Sequence, residues 1–441
     1  MRLETPKRIR DLQRKLYLKA KREPRFRFYL LQDKVWREDI LQHAYRLVRA
    51  NGGAPGIDRV TFQSIESGEG ETEFLSKLRQ ELKEKTYRPQ AVRRVYIPKA
   101  DGRRRPLGIP TIRDRVAQMA VKIVIEPIFE ADFEDCSFGF RPHRDAHQAV
   151  GAIRQALYTA HPYVFDADLQ QYFDTIPHDK LLILVARRIS DRHILRWIKQ
   201  WLKAVVVEED QEGKRRMSGG KRSKCGTPQG GVISPLLANI YLDLFDRMFL
   251  SYCRLTGLAA ELVRYADDFV ILMRGGVGTT LVRVKQMLER MGLKLNEEKS
   301  RVVDAREGRF DFLGFTFCRR RNRRTGRVIT LVEPSRESEQ HYRDEVRALT
   351  GRWSYCVAQG EVVERVNRYV RGWVNYFHVH NSTGVFARQR FFLEQRMRNY
   401  LQKRRQIRGF GYRSWPAARL YRELGLYGIP VYASYGRART P

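Results

Sequence analysis

Cysteine is scarce: 441 residues hold five, at positions 136, 225, 253, 318 and 356, and no two of them make a CxxC pair. A zinc knuckle or ribbon is therefore not expected. The odd number and wide scatter predict reduced thiols and a cytoplasmic protein. Long apolar runs are also missing. No stretch approaches the roughly 20 apolar residues that span a bilayer, so no membrane partner is expected. Lys7, Arg8 and Arg10 make the start basic, but no apolar segment follows, and no secretion signal is expected. Acidic side chains are the third shortage. Aspartate plus glutamate is 50 against 84 for lysine plus arginine, a formal charge of +34. Solubility needs far less. An excess of that size points to a polyanion, bound through neutralised phosphates and released counterions.

What is present divides along the chain. Residues 1–50 read as basic helices, broken near Glu23-Pro24. Gly52, Gly53, Pro55 and Gly56 punctuate a loop. Residues 51–160 look mixed, with a strand over Val92–Pro98, a turn at Asp101-Gly102 and a helix over Val116–Ile125 that Pro127 ends. Residues 161–317 carry the clearest patterns. Tyr163, Phe165, Ala167 and Leu169 alternate with Val164, Asp166 and Asp168, which predicts a strand with carboxylates on one face. Ser234-Pro235 predicts an N-cap and first helical position for a helix over Leu236–Leu250. Leu262–Met273 reads as two strands about a tight turn at Ala266–Asp268, and Phe310–Phe317 as a strand-turn signal centred on Gly314. Leu281, Val284, Leu288 and Met291 form a helical stripe that Gly292 stops. Val362, Val366, Tyr369, Trp373 and Tyr376 mark one face of a helix in a helical region over 330–415, with Arg365, Arg368 and Arg371 off that face. A short basic and aromatic tail, 416–441, closes the chain.

Two carboxylate stations carry the chemistry. Asp168 ends a strand; Asp267 and Asp268 sit in a turn between two strands, 99 residues later for the first of them. Three carboxylates brought together there would need cations to neutralise them. Two Mg²⁺ ions about 3.5–4 Å apart are the usual device for in-line phosphoryl transfer. Taken alone, an Asp-Asp doublet is more often a solvated turn. The ordered motifs around it argue otherwise.

Tyr265-Ala266-Asp267-Asp268 resembles the Tyr-x-Asp-Asp box of reverse transcriptases, and Asp168 to Asp174 their first carboxylate motif. Between them, Gly226 to Pro235 is similar to the loop that shapes the nucleotide pocket. Ile97-Pro98-Lys99 and Arg105 to Pro110 resemble fingers motifs, Leu295 to Ser300 the motif after the palm helix, and Phe312-Leu313-Gly314-Phe315 the primer grip. Three more segments resemble group II intron enzymes: Asn51 to Asp58, Ser137 to Pro142 with His147, and Val366 to Phe377 in the thumb or maturase X domain. The resemblance covers roughly residues 36–410.

The fold this resemblance implies is α+β, a right-hand polymerase with fingers, a ferredoxin-like palm and an α-helical thumb. The implied activity is RNA-directed DNA synthesis from dNTPs on an RNA template, group II intron RNA, with a DNA primer or target. Splicing assistance and retrohoming go with it. Asp168, Asp267 and Asp268 would bind two Mg²⁺, with Mn²⁺ able to substitute and the Leu169 carbonyl as an extra ligand. Lys99 and Arg105 would hold triphosphate oxygens, Phe173 would exclude a ribose 2′-hydroxyl, and Gln229 would lie over nucleotide or template. Lys299 is a candidate acid for pyrophosphate, and the three off-face arginines are candidate RNA contacts. Asp174, His143 and His147 read as structural. After residue 410 the chain has neither Cys nor His, so an HNH endonuclease is not expected. The same chemistry would serve a domesticated relative in spacer acquisition, phage defence or DNA repair. A non-catalytic splicing factor of this fold would have no reason to keep the three carboxylates.

Overall fold

The computed structural model describes residues 3–98, 104–209, 215–227, 229–321 and 325–430. Lys99, the turn expected at 101–102, Pro228, residues 322–324 and residues 431–441 of the basic and aromatic tail lie outside them. The strands, in chain order, are β1 (Val92–Pro98), β2 (Arg104–Ile109), β3 (Tyr163–Ala167), β4 (Val205–Glu209), β5 (Arg215–Gly219), β6 (Ala260–Tyr265), β7 (Asp268–Met273), β8 (Arg301–Asp304), β9 (Phe310–Phe312), β10 (Phe315–Arg321) and β11 (Val328–Pro334). They form three sheets, ordered β2-β1-β4-β5, β6-β7-β3-β8 and β11-β10-β9. Among the described residues no helix is long and apolar enough to cross a membrane.

The chain divides into two compact units. One holds residues 1–145, 167–270 and 276–301; the other holds 146–166, 271–275 and 302–441. In the first, helices Lys7–Arg22 and Glu38–Ala50 pack on the helix Ile112–Glu130, which is buried along nearly its whole length. Arg188 pins the break after the first helix by donating to the carbonyls of Ala20 at 2.7 Å and Glu23 at 3.1 Å. Antiparallel pairing sets Ile97 opposite Arg105, and β1 also runs parallel to β4. In the second unit, helices Arg336–Leu349, Gln359–Phe377 and Thr383–Arg404 follow β11. The described part of the tail packs on them. Asn367 donates to the Gly425 carbonyl at 2.8 Å, and Leu420 is buried.

Strand β1 has the bounds read from the sequence, and the two strands about Ala266-Asp267 form as expected. Four local readings change. Pro127 does not end its helix, which runs on to Glu130. The ring removes the bond to the Ile123 carbonyl, and Gln13 supplies the missing donor at 3.2 Å. The helix at Ser234-Pro235 starts at Ser234 itself, with Ile233 as the cap residue, and runs to Thr256 before Gly257 at φ +67°. In β3 the second face is not all polar, since Val164 is buried along with Phe165 and Ala167; β3 is an inner strand of its sheet. In the Gln359–Phe377 helix the buried stripe is Val362, Val366, Val370, Trp373 and Phe377, while Tyr369 and Tyr376 are half-buried.

Candidate active site

The first station is held by the segment that follows the Val277–Met291 helix. Asp168 stands immediately after β3. Its N–H donates to Ser300 Oγ at 3.3 Å, and its carbonyl accepts from the Asn296 N–H at 2.8 Å. Asn296 Nδ2 donates to Asp168 Oδ2 at 2.9 Å, and Lys299 Nζ lies 3.7 Å from the same oxygen. Leu169 is buried and bridges Leu295. The flanking bonds use the carbonyls of Asp168 and Lys294, leaving the Leu169 carbonyl outside this pairing. The sequence reading assigned no role to Asn296, although it sits in the segment that resembled a family motif.

The second station is the turn between β6 and β7. Ala266 adopts φ +58°, a conformation non-glycine residues rarely take. Asp267 follows it, and the exposed Asp268 opens β7. Burial pushes the Asp267 carboxyl above the usual carboxylate range; its own backbone N–H opposes the rise, and the charge of Asp168 adds to it. Arg105 and Arg264 pull it back down. The two stations therefore feel each other electrostatically.

Both stations line one cavity of about 990 Å³. Its wall includes Asp168, Leu169, Asp267 and Asp268 with Arg105, Gln229 and Lys299. Asp174 also lines it, its carboxyl raised by burial and lowered by Arg94. Phe173 does not line it. It is half-buried in the turn Tyr172–Thr175, and its carbonyl accepts from the Thr227 N–H at 2.7 Å. Gln229 is set by backbone: its carbonyl accepts from the Gly108 N–H, and a Cβ on the next residue, Gly230, would come 2.4 Å from the Gly108 oxygen. Arg105, on β2, shares the cavity wall with Gln229.

Among the described residues, no three His, Cys, Asp or Glu side chains stand close enough to hold a metal ion by themselves. The expected convergence of three carboxylates is thus a pair, Asp168 and Asp267, with Asp268 on the same wall. The donor set still fits a divalent cation. A buried carboxyl kept above its usual range beside a second carboxylate is relieved by positive charge, and hard oxygen donors suit Mg²⁺, which keeps water and substrate oxygens in its shell.

The remaining predicted residues lie in the second unit. Leu313 (φ +52°) and Gly314 (φ +77°) form the two-residue turn between β9 and β10, and Phe312 is buried before it. Tyr376 donates to the Leu313 carbonyl at 3.0 Å, and Ser338 Oγ to the Gly314 carbonyl at 2.9 Å. Arg365 and Arg368 are paired with Glu361 and Glu364 one turn back, and Arg371 lies over the Tyr427 ring. His147 Nε2 bonds the Tyr376 carbonyl at 2.7 Å, as a structural histidine would.

One residue of the first unit escaped the sequence reading altogether: Arg264, wholly buried in β6. Its signal was available, an arginine interrupting the apolar run Leu262-Val263 just before the turn.

Comparisons with known proteins fit this arrangement. Residues 97–317 match the family described as "Reverse transcriptase (RNA-dependent DNA polymerase)", and residues 340–421 match "Group II intron, maturase-specific domain". Protein YkfC of Escherichia coli (strain K12) is 34% identical over 397 residues, covering 80% of this chain and 99% of that protein. Group II intron-encoded protein LtrA of Lactococcus lactis subsp. cremoris is 40% identical over 224 residues, 51% of this chain and 35% of LtrA. An uncharacterized 91 kDa protein in the cob intron of Schizosaccharomyces pombe is 25% identical over 437 residues, 82% of this chain and 52% of that protein. The chain thus spans nearly all of the first relative, about a third of the second and about half of the third.

Proposed function

The chain belongs to the reverse transcriptase (RNA-dependent DNA polymerase) family and carries a group II intron maturase-specific domain, and from that premise we propose that the cavity holding Asp168 and Asp267 copies group II intron RNA into DNA. The observation that carries this is the meeting of two carboxylates, distant in sequence, with Arg105 on one cavity wall. Asp168 and Asp267, helped by the Leu169 carbonyl and Asp268, would hold two Mg²⁺ ions, or Mn²⁺ in their place. Bound there, such ions favour ionisation of a primer 3′-hydroxyl and offset the charge of the leaving pyrophosphate. Arg105 presents a planar fork to triphosphate oxygens, and Lys99 a point charge. Asn296 orients the Asp168 carboxylate. Lys299 balances that carboxylate's charge before substrate arrives and is placed to give a proton to pyrophosphate. Phe173, outside the wall itself but between its lining residues Tyr172 and Asp174, is assigned the exclusion of the 2′-hydroxyl once nucleotide is bound, and Gln229 the contact with nucleotide or template. The turn at Leu313-Gly314 would hold the primer end.

The same reading makes intron RNA and a DNA target the partners, with splicing assistance and retrohoming as the biological task. Its first test is primer extension on RNA templates with dNTPs and Mg²⁺. Wild type should make cDNA and reject rNTPs. Asp267→Ala should lose at least several kcal/mol of transition-state stabilisation, roughly a thousand-fold in rate. A wild type that binds several RNA templates tightly yet extends no primer on any of them would replace the polymerase reading with that of a non-catalytic RNA-binding protein. Normal splicing of the cognate intron without the protein would remove the maturase part.

A further inference from the structure

The turn that carries Asp267 is gripped from both sides by groups that take no part in metal or nucleotide chemistry. Arg264 stands in β6, three residues before Asp267, and neither it nor its partner Asp246 reaches solvent. A guanidinium in that position is costly unless its charge and its N–H donors are met. Arg264 Nε donates to both Asp246 oxygens, at 2.8 and 3.0 Å. Nη1 donates to Asn239 Oδ1 at 3.1 Å and to the Ala266 carbonyl at 2.9 Å.

That last bond is the informative one. The Ala266 carbonyl belongs to the peptide plane that joins Ala266 to Asp267. Holding it sets the direction in which the Asp267 carboxylate leaves the backbone. Ala266 pays for a left-handed φ of +58° without being glycine, and a conformation of that kind persists only where the surroundings over-determine it.

The other side of the turn is met by the segment around Gly139. A Cβ at Gly139 would stand 2.4 Å from the Ala266 nitrogen, so only glycine allows the backbones this close. Asn239 Nδ2 fixes that segment by donating to the Gly139 carbonyl at 2.8 Å. The neighbouring Phe138 N–H donates to the Arg264 carbonyl at 2.8 Å, and the Arg264 N–H to the Cys136 carbonyl at 2.8 Å. Asn239 therefore touches both grips, with its oxygen on the guanidinium and its nitrogen on the glycine segment. A hydrophobic pair would serve stability as well as a buried ion pair; what it could not do is hold a carbonyl by a charge-assisted bond.

We propose that Arg264, with Asp246, Asn239 and Gly139, is a positioning system that aims the Asp267 carboxylate for cation binding. The inference rests on the reading of Asp267 as a cation ligand. It makes these residues determinants of metal affinity and turnover, and leaves the affinities for nucleotide and RNA to other groups.

The test uses the full chain stalled on an RNA template with a 3′-deoxy-terminated DNA primer and the next dNTP. Bound Mn²⁺ is counted by the EPR signal of the free ion, beside kcat, KM for dNTP, RNA affinity and melting temperature. Gly139→Ala and Arg264→Lys should weaken Mn²⁺ binding at least fivefold and lower kcat at least tenfold. KM for dNTP and RNA affinity should stay within twofold. Asn239→Ala should shift both quantities in the same direction, about threefold. Should Arg264→Lys fail to fold, the other two decide. Folded Gly139→Ala and Asn239→Ala proteins with Mn²⁺ affinity and kcat within twofold of wild type would overturn the proposal. Asp267→Ala, run alongside, separates the two levels. If it is inactive while the positioning variants behave as wild type, only the positioning idea falls. If Asp267→Ala itself binds Mn²⁺ and extends primers normally, the ligand reading falls first and takes the proposal with it.

Discussion

Two tight turns, each joining consecutive antiparallel strands, are held in opposite ways. The Ala266-Asp267 turn is fixed by a buried cation, with Arg264 donating to the Ala266 carbonyl and Gly139 wedged against the backbone. The Leu313-Gly314 turn is fixed by neutral hydroxyls, Tyr376 on one carbonyl and Ser338 on the next. Both place a non-glycine residue in the left-handed region. The difference lies in the support. A neutral hydrogen bond contributes about 1 kcal/mol net, and a charge-assisted one about twice that. A carboxylate that must meet a metal ion gains from the stiffer grip. A turn that would hold a primer end can make do with bonds that break and re-form singly.

Breaking the stiff grip should have the largest effect. Arg264→Met leaves Asp246 buried and unpaired and should cost about 3–5 kcal/mol in urea unfolding. Adding Asp246→Leu should recover much of that stability without restoring kcat, because an apolar pair cannot hold the Ala266 carbonyl. Recovery of full activity in the double variant would erase the contrast between the two turns.

A pH series sharpens the same side. Asp243 lies one helical turn before Asp246, paired with Arg247 at 2.7 Å, and one of its oxygens is buried without a partner. Burial raises its carboxyl to about 7. A raised pKa means the folded state keeps a proton that the unfolded chain gives up. The stability due to this group is complete below the ordinary carboxylate range and drains away as pH rises towards about 7. Asp243→Asn should therefore melt close to wild type at pH 4, progressively above it up to about pH 7, and by a constant margin at higher pH. A margin that does not change with pH would rule out the buried carboxyl as its source.

The neutral grip should respond less. Gly314→Ala combines a φ of +77° with a new Cβ 2.9 Å from Ser338 Oγ, and should cost about 1–2 kcal/mol. Mn²⁺ affinity at the cavity should be unchanged, which the same EPR titration checks. Smallest of all, Arg368→Ala removes an exposed pair with Glu364 and should change stability by less than about 0.5 kcal/mol. If Arg368 touches RNA phosphate, affinity should fall evenly across sequences and the salt slope should drop by about one.

Much of the site could be read before the fold was known, because polymerase chemistry constrains residue type and order together. The stations at 168 and 267, Gln229 of the Gly226 to Pro235 loop, and the residues from Leu295 to Lys299 all line one cavity. The readings that changed were those in which a distant residue overrides a local rule. Pro127 breaks its own helical bond, but Gln13, 110 positions away, answers the orphaned carbonyl. β3 lies inside its sheet, so neighbouring strands bury Val164 on the face that local alternation had set beside the carboxylates.

Sequence alone determined the chemistry on offer: a basic surface for a polyanion, two carboxylate stations, and a strand-turn-strand to carry the second. Those are properties of residue type and short spacing, legible wherever the chain lies. Only the tertiary structure decided which carboxylates face each other, that Asn296 steers one of them, and that a buried arginine steers the other. An arginine in an apolar strand has no tolerable local partner. Its meaning rests on Asp246, Asn239 and a carbonyl two residues on, which only folding brings within 3.1 Å.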